Sequence, residues 1–158
     1  MTLKLLFLRL LLCLSFLFAS SSCADRSNNF DEDITKIYTI EMSYAGDLIN
    51  WSDSLKISTI VNSNSIPTLS GSPIEKIEKI SETQYNFILP TRSPQNKTIK
   101  TSDNIKEINI SGLLTPINNE AKDIEILIKI YKNNIYSEQF SFQFTKNSPY
   151  PYYNLNVK

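Results

Sequence analysis

From about residue 34 onward, apolar and polar residues alternate with a period of two rather than 3.6. That is the pattern of strands with one buried face. Tyr38, Ile40, Met42 and Tyr44 alternate with Thr39, Glu41 and Ser43, which predicts a first strand. Leu55, Ile57 and Val61 predict a second, and Tyr85, Phe87 and Leu89 a third that Pro90 stops. Ile108, Ile110 and Leu114 predict a fourth around Gly112, a position suited to a bulge or a close backbone approach. The clearest pair is Ile124, Ile126, Ile128 and Ile130 followed by Phe140, Phe142 and Phe144, two strands meeting near Asn133-Asn134. Tyr153, Leu155 and Val157 predict a last strand after Pro149 and Pro151.

The register of that hairpin can be read from its faces. A two-residue Asn-Asn loop in regular pairing sets Ile128 against Gln139 and Ile126 against Ser141. A three-residue loop, Lys132 to Asn134, sets Ile126 against Phe140 and Ile124 against Phe142. A one-residue slip exchanges the faces, so the apolar pattern selects the three-residue loop, with Asn134 left-handed. One stretch departs from the period of two. Ser72-Pro73-Ile74-Glu75 has a Ser cap, Pro at the first helical position and Glu three residues after the cap, with Ile74, Ile77 and Ile80 following at spacings of three. A short helical turn over 73–80 is expected, with an irregular edge strand as the alternative. Seven short strands and almost no helix predict an all-β fold: a single antiparallel β-sandwich, with an immunoglobulin-like arrangement as one version and a small β-barrel as the alternative.

Composition narrows the chemistry more than it names it. The 158 residues include 16 basic and 16 acidic side chains. Lys4 and Arg9 lie in the leader, so the chain after it carries 14 against 16, a balance of −2. Such a chain lacks the basic footprint that nucleic acid demands, and no nucleic-acid partner is expected. There is no histidine, which removes the commonest general base and zinc ligand and every Ser-His-Asp arrangement. The three glycines, Gly46, Gly71 and Gly112, are scattered singly, so no loop is built to cradle a phosphate. No cofactor and no metal are expected. The adjacent Asp31, Glu32 and Asp33 read as solvated charge.

The N-terminus carries the most specific signal. Lys4 and Arg9 precede an apolar core from Leu10 to Ala19, about ten residues, which has the length of a secretory h-region. A spanning helix needs about 20, and extending this run backwards meets Arg9. Residues 1–22 therefore read as a signal peptide, with Cys13 discarded inside it. Small residues then lead to Ser20-Ser21-Ser22-Cys23. This stretch resembles the lipobox of the bacterial lipoprotein class, although Ser20 stands where that class prefers an aliphatic residue. The resemblance implies that Cys23 is lipidated and becomes the mature N-terminus, with the membrane as its partner. It places the protein in the bacterial cell envelope, at the outer membrane. Residues 23–33 then form the lipidated cysteine and a polar tether, and 34–158 the folded domain. Cleavage after Ala24 by ordinary signal peptidase is the rival reading, and it yields a secreted soluble protein.

Candidate functional residues in the domain are few. Asp47 and Asp53 flank Trp51, and two carboxylates beside an aromatic platform are the parts of a glycan hydrolase. Trp51 in a polar stretch, and Tyr150, Tyr152 and Tyr153 around two prolines, are candidate binding aromatics for an envelope protein or a glycan. Without a catalytic motif, the expectation is a non-catalytic binding or assembly domain held by a lipid anchor. The carboxylate-based hydrolase is the alternative.

Overall fold

The computed structural model describes residues 36–62, 65–149 and 151–158. Cys23, the leader, the tether with Asp31 to Asp33, and Tyr150 lie outside the described residues.

Ten strands form two antiparallel five-stranded sheets packed face to face, as a sandwich rather than a closed barrel. The strands are β1 (Tyr38–Gly46), β2 (Trp51–Val61), β3 (Leu69–Ser70), β4 (Lys76–Lys79) and β5 (Gln84–Ile88), then β6 (Lys97–Thr101), β7 (Ile105–Pro116), β8 (Ile124–Lys132), β9 (Ile135–Phe144) and β10 (Tyr152–Val157). One sheet has the order β3-β6-β1-β8-β9, the other β10-β7-β2-β5-β4. The predicted alternation holds. Tyr38, Ile40, Met42 and Tyr44 are buried from the first sheet, facing Leu55, Ile57, Phe87, Ile108 and Ile110 from the second. β-branched isoleucines dominate this interior because they suit a pleated, half-buried surface.

Two strands carried no adequate sequence signal. β3 has two residues, and β6 has a single aliphatic residue, Ile99. At 73–80 the alternative reading holds: β4 is an edge strand and not a helical turn. Lys76 to Lys79 pair with Ile88 to Tyr85, and the backbone bonds gained by completing the sheet outweigh a local capping signature. Ile77 on β4 and Ile80 just after it stay half exposed, as befits an edge beyond the core.

The β8–β9 hairpin corrects the predicted loop while preserving the predicted faces. Asn133 and Asn134 both have positive φ, 51° and 65°, so the loop has two residues and not three. Lys132 pairs with Ile135 and Tyr131 with Tyr136, after which a bulge between Ile130 and Tyr131 shifts the register by one. Ile128 then meets Phe140, Ile126 meets Phe142 and Ile124 meets Phe144. The bulge does what the three-residue loop was expected to do, restoring the apolar face.

Gly112 is a point of close approach and not a bulge. It pairs in register with Leu55 on one side and Tyr153 on the other, and the Tyr153 ring lies where a Cβ would stand.

Candidate functional site

Strand parity brings four polar side chains together between the sheets. In β2 the inward positions are Trp51, Asp53, Leu55 and Ile57, so the pleat that buries the apolar residues also buries a carboxylate. Asp53 is 3% exposed. Its backbone is fixed by reciprocal bonds with Arg92: its N–H donates to the Arg92 carbonyl at 2.7 Å, and its carbonyl accepts from the Arg92 N–H at 3.1 Å. Opposite, Tyr44 at the inward parity of β1 donates its hydroxyl to Asp53 Oδ2 at 2.6 Å. Lys97, at the start of β6, donates Nζ to the same oxygen at 3.0 Å and lies 5.3 Å from the Tyr44 ring centroid. The Tyr153 hydroxyl, from β10, completes the group. It interacts electrostatically with Asp53 and Tyr44, but neither it nor Asp53 Oδ1 has a partner at hydrogen-bonding geometry.

The electrostatics hold both phenols in the neutral form. Burial raises the Tyr44 pKa far above the usual phenol value, and the neighbouring Tyr153 and Asp53 add to it. Tyr153 is raised chiefly by burial and then by Asp53. A phenol that keeps its proton is a donor, so Tyr44 stabilises the carboxylate and is unsuited to act as a base or nucleophile. The ion pair with Lys97 is largely out of water, where its attraction must offset a desolvation cost of several kcal/mol per ion. The group spans both sheets, joining β1 and β6 to β2 and β10. Its chemistry is that of a polar clasp that fixes how one sheet sits over the other.

Of two surface depressions, the first adjoins this clasp and the second lies apart from its residues. One, of about 380 Å³, is lined by Arg92, Ser93, Gln95, Asn96, Lys97 and neighbouring residues, and Lys97 belongs to both the pocket and the clasp. The other, of about 720 Å³, lies at the β1–β2 turn among Asp47, Ile49, Asn50, Glu120 and Asp123. There Asp47 Oδ2 accepts from the Lys122 N–H at 2.9 Å and from the Asn50 amide at 2.9 Å. Those bonds, the Lys122 N–H first, lower its pKa below the usual carboxylate range. Among the described residues no three Asp, Glu, His or Cys side chains are grouped to hold a metal ion. No helix among them is long and apolar enough to cross a membrane.

The structure separates the residues nominated from sequence. Asp47 and Asp53 have different hydrogen-bond partners, one at a surface turn and the other between the sheets. Trp51 is fully buried and donates Nε1–H to the Lys122 carbonyl at 2.8 Å, so it plugs the end of the core and offers no face to solvent. Tyr153 is 1% exposed and lies over Gly112. Tyr152, its outward neighbour, is half exposed. Sequence reasoning missed Tyr44 and Lys97 as partners of Asp53. The available signal was a carboxylate at the apolar parity of β2 and a phenol at the apolar parity of β1. Lys97 carried none.

No family model matches the chain, and no curated protein matches it. Solved structures do. A domain of unknown function, DUF4425, from Bacteroides vulgatus superposes with a TM-score of 0.58 at 17% identity, over 78% of this chain and 96% of its own. A DUF4425 family protein from Bacteroides ovatus gives 0.53 at 13%, over 78% and 94%. The calcium-bound form of a protein from Parabacteroides distasonis gives 0.55 at 15%, over 79% and 94%. At these identities the likeness is one of fold, and it establishes the β-sandwich.

Proposed function

We propose that this chain is a bacterial envelope lipoprotein, acylated on Cys23, whose β-sandwich is a non-catalytic binding or assembly domain. The observation that carries the domain reading is the state of Asp53. This carboxylate, one of the two nominated for hydrolysis, is sealed between the sheets, with Tyr44 and Lys97 both bound to one of its oxygens. A hydrolase needs its acid and base within reach of substrate, and this group is spent on joining the sheets. The surface that remains for function consists of loops and sheet edges, the parts a sandwich uses for contact with partners. The anchor reading is supported by the leader that ends at Cys23. Acyl chains contribute about 0.8 kcal/mol per buried methylene, so the domain needs no membrane contact of its own.

The test is the intact mass of the mature protein from its native host, beside a Cys23→Ala variant. A start at Cys23 with added acyl mass, lost in the variant, is expected. A start at Asp25 without added mass refutes the anchor. Hydrolysis of a glycan, abolished by Asp53→Asn while the variant remains folded, refutes the non-catalytic domain.

A further inference from the structure

Of the four sheet edges, one has a long stretch without the protections that edges ordinarily carry. Natural edges are kept from pairing with other chains by shortness, charge, proline or bulges. β3 has two residues, and three of the four residues of β4 are charged. β10 has six residues and follows Pro149 and Pro151. β9 is different. It runs ten residues without proline, its one bulge lies at the turn end and leaves Glu138 to Phe144 regularly paired, and its single charge, Glu138, is 3.7 Å from Lys132 of the same hairpin. Among the described residues no strand pairs with its outer side. Phe140 and Phe142 point inward but are only half-buried, and Ile135 and Tyr136 are exposed.

The sequence of this edge is self-complementary. Gln139-Phe140-Ser141-Phe142-Gln143 reads the same in both directions. Two antiparallel strands related by a two-fold axis normal to the sheet must pair about a common residue, which keeps inward residues opposite inward residues. Centred on Ser141, such a pair sets Phe140 against Phe142, Gln139 against Gln143 and Glu138 against Phe144. No like charges meet in this register, and aromatic side chains face each other on the half-covered face.

We infer that β9 pairs with β9 of a second copy about Ser141, joining two five-stranded sheets into one of ten strands. The contact is isologous and closed, so it forms dimers and not filaments. Its size sets its strength. Seven paired residues give a strip roughly 24 Å long and about 10 Å deep. That is well short of the ~800 Å² per partner of a standard stable interface, so the dimer is weak and reversible. This inference rests on the assembly reading above and names the partner. It does not depend on Cys23, so the mass measurement can fail without it, and the reverse.

The register supplies the test. In the mature chain, Ser141→Cys places two thiols directly opposite, with Cα atoms about 4.5–5.5 Å apart, inside the range a disulfide spans. Gln139→Cys places its two copies four residues out of step, roughly 13 Å apart along the strand. Ser141→Cys is expected to form a disulfide dimer under mild oxidation, whereas Gln139→Cys and the unsubstituted chain do not. Sedimentation of the unsubstituted mature chain should show dimer rising across the micromolar to millimolar range. Ser141→Lys, which puts like charges opposite on the solvent face, should weaken association at least tenfold with an unchanged unfolding midpoint. A chain that stays monomeric throughout, equal cross-linking of both cysteine variants, or undiminished dimerisation of Ser141→Lys overturns the inference.

Discussion

Replacing Gly112 by alanine tests the packing at the centre of the second sheet. A Cβ there would overlap the Cζ and hydroxyl of Tyr153 and lie 2.5 Å from its Cε1. Ordinary contact begins near 3.4 Å, so the ring must retreat by about 1 Å, the difference between those two distances. It has nowhere to go. Tyr153 is 1% exposed, its ring lies against Phe142 with centroids 5.4 Å apart, and its hydroxyl is beside Asp53. Overpacking a rigid core costs about 1–3 kcal/mol. Against this, exchanging glycine for alanine in a strand relieves backbone entropy worth roughly 0.5–1 kcal/mol. The expected net loss is about 1–2 kcal/mol, the balance of those two effects. Urea unfolding followed by fluorescence measures it directly, because Trp51 is the single tryptophan of the chain and is fully buried. The same substitution in a Tyr153→Ala background removes the obstacle and should be neutral or stabilising by about 0.5–1 kcal/mol. An equal loss in both backgrounds would refute the assignment of Tyr153 as the reason for glycine.

Three further outcomes follow from the clasp and the hairpin. Tyr44→Phe removes the shorter bond to Asp53 Oδ2 and should destabilise by about 1.5–3 kcal/mol, the range for a hydrogen bond to a charged group; a change within about 0.5 kcal/mol would mean the bond is replaced. Alkali should unfold the domain early. Burial holds the phenol of Tyr38 up at about 12, and those of Tyr44 and Tyr153 are raised as well, so the native state keeps protons that the unfolded chain releases near pH 10. Stability from raised pKa values is intact below pH 10 and falls above it, by roughly 4 kcal/mol at pH 11 for three such groups. Urea midpoints that coincide at pH 8 and pH 11 would contradict this. Asn134→Val forces a β-branched residue to φ 65° and should cost about 1–2 kcal/mol, whereas Asn134→Gly should not; equal thermal midpoints for the two variants would show that the turn relaxes.

The parts of the fold legible in the sequence are those where one residue in two is strongly apolar. Tyr38 to Tyr44 and Ile124 to Ile130 could be read by eye, because burial on one face leaves a two-residue period and little else does. β6 was illegible for the same reason: its inward positions are Lys97, Ile99 and Thr101, and only one of them is an aliphatic residue. The helical signature at Ser72-Pro73 failed because capping acts within one turn, whereas β4 is held by partners on β5 about ten residues away. The bulge at Ser137, opposite Ile130 and Tyr131, leaves no mark of its own, since any residue type can be the extra one; the sequence therefore points to the wrong loop length but to the right faces. The clasp was half legible. Asp53 and Tyr44 stand at apolar parity in strands already assigned, but their meeting depends on which strands face across the interior, and that is decided by pairings far apart in the chain.

Those distant pairings govern the order of events in folding. β1 bonds to β8 through nine consecutive positions, from Tyr38 against Lys132 to Gly46 against Ile124. β2 bonds to β7, from Trp51 against Pro116 to Val61 against Ile105. The central ladder of each sheet thus joins an early strand to a late one, with the intervening segment looped between them. Closing such loops is entropically uphill before any contact rewards it, and domains of this kind fold in milliseconds to seconds. A chain emerging N-terminus first from a ribosome holds β1 and β2 without their main partners until β7 and β8, which together end at Lys132, have followed. Until then the two long ladders cannot close, and the apolar faces of β1 and β2 stay open to wrong partners.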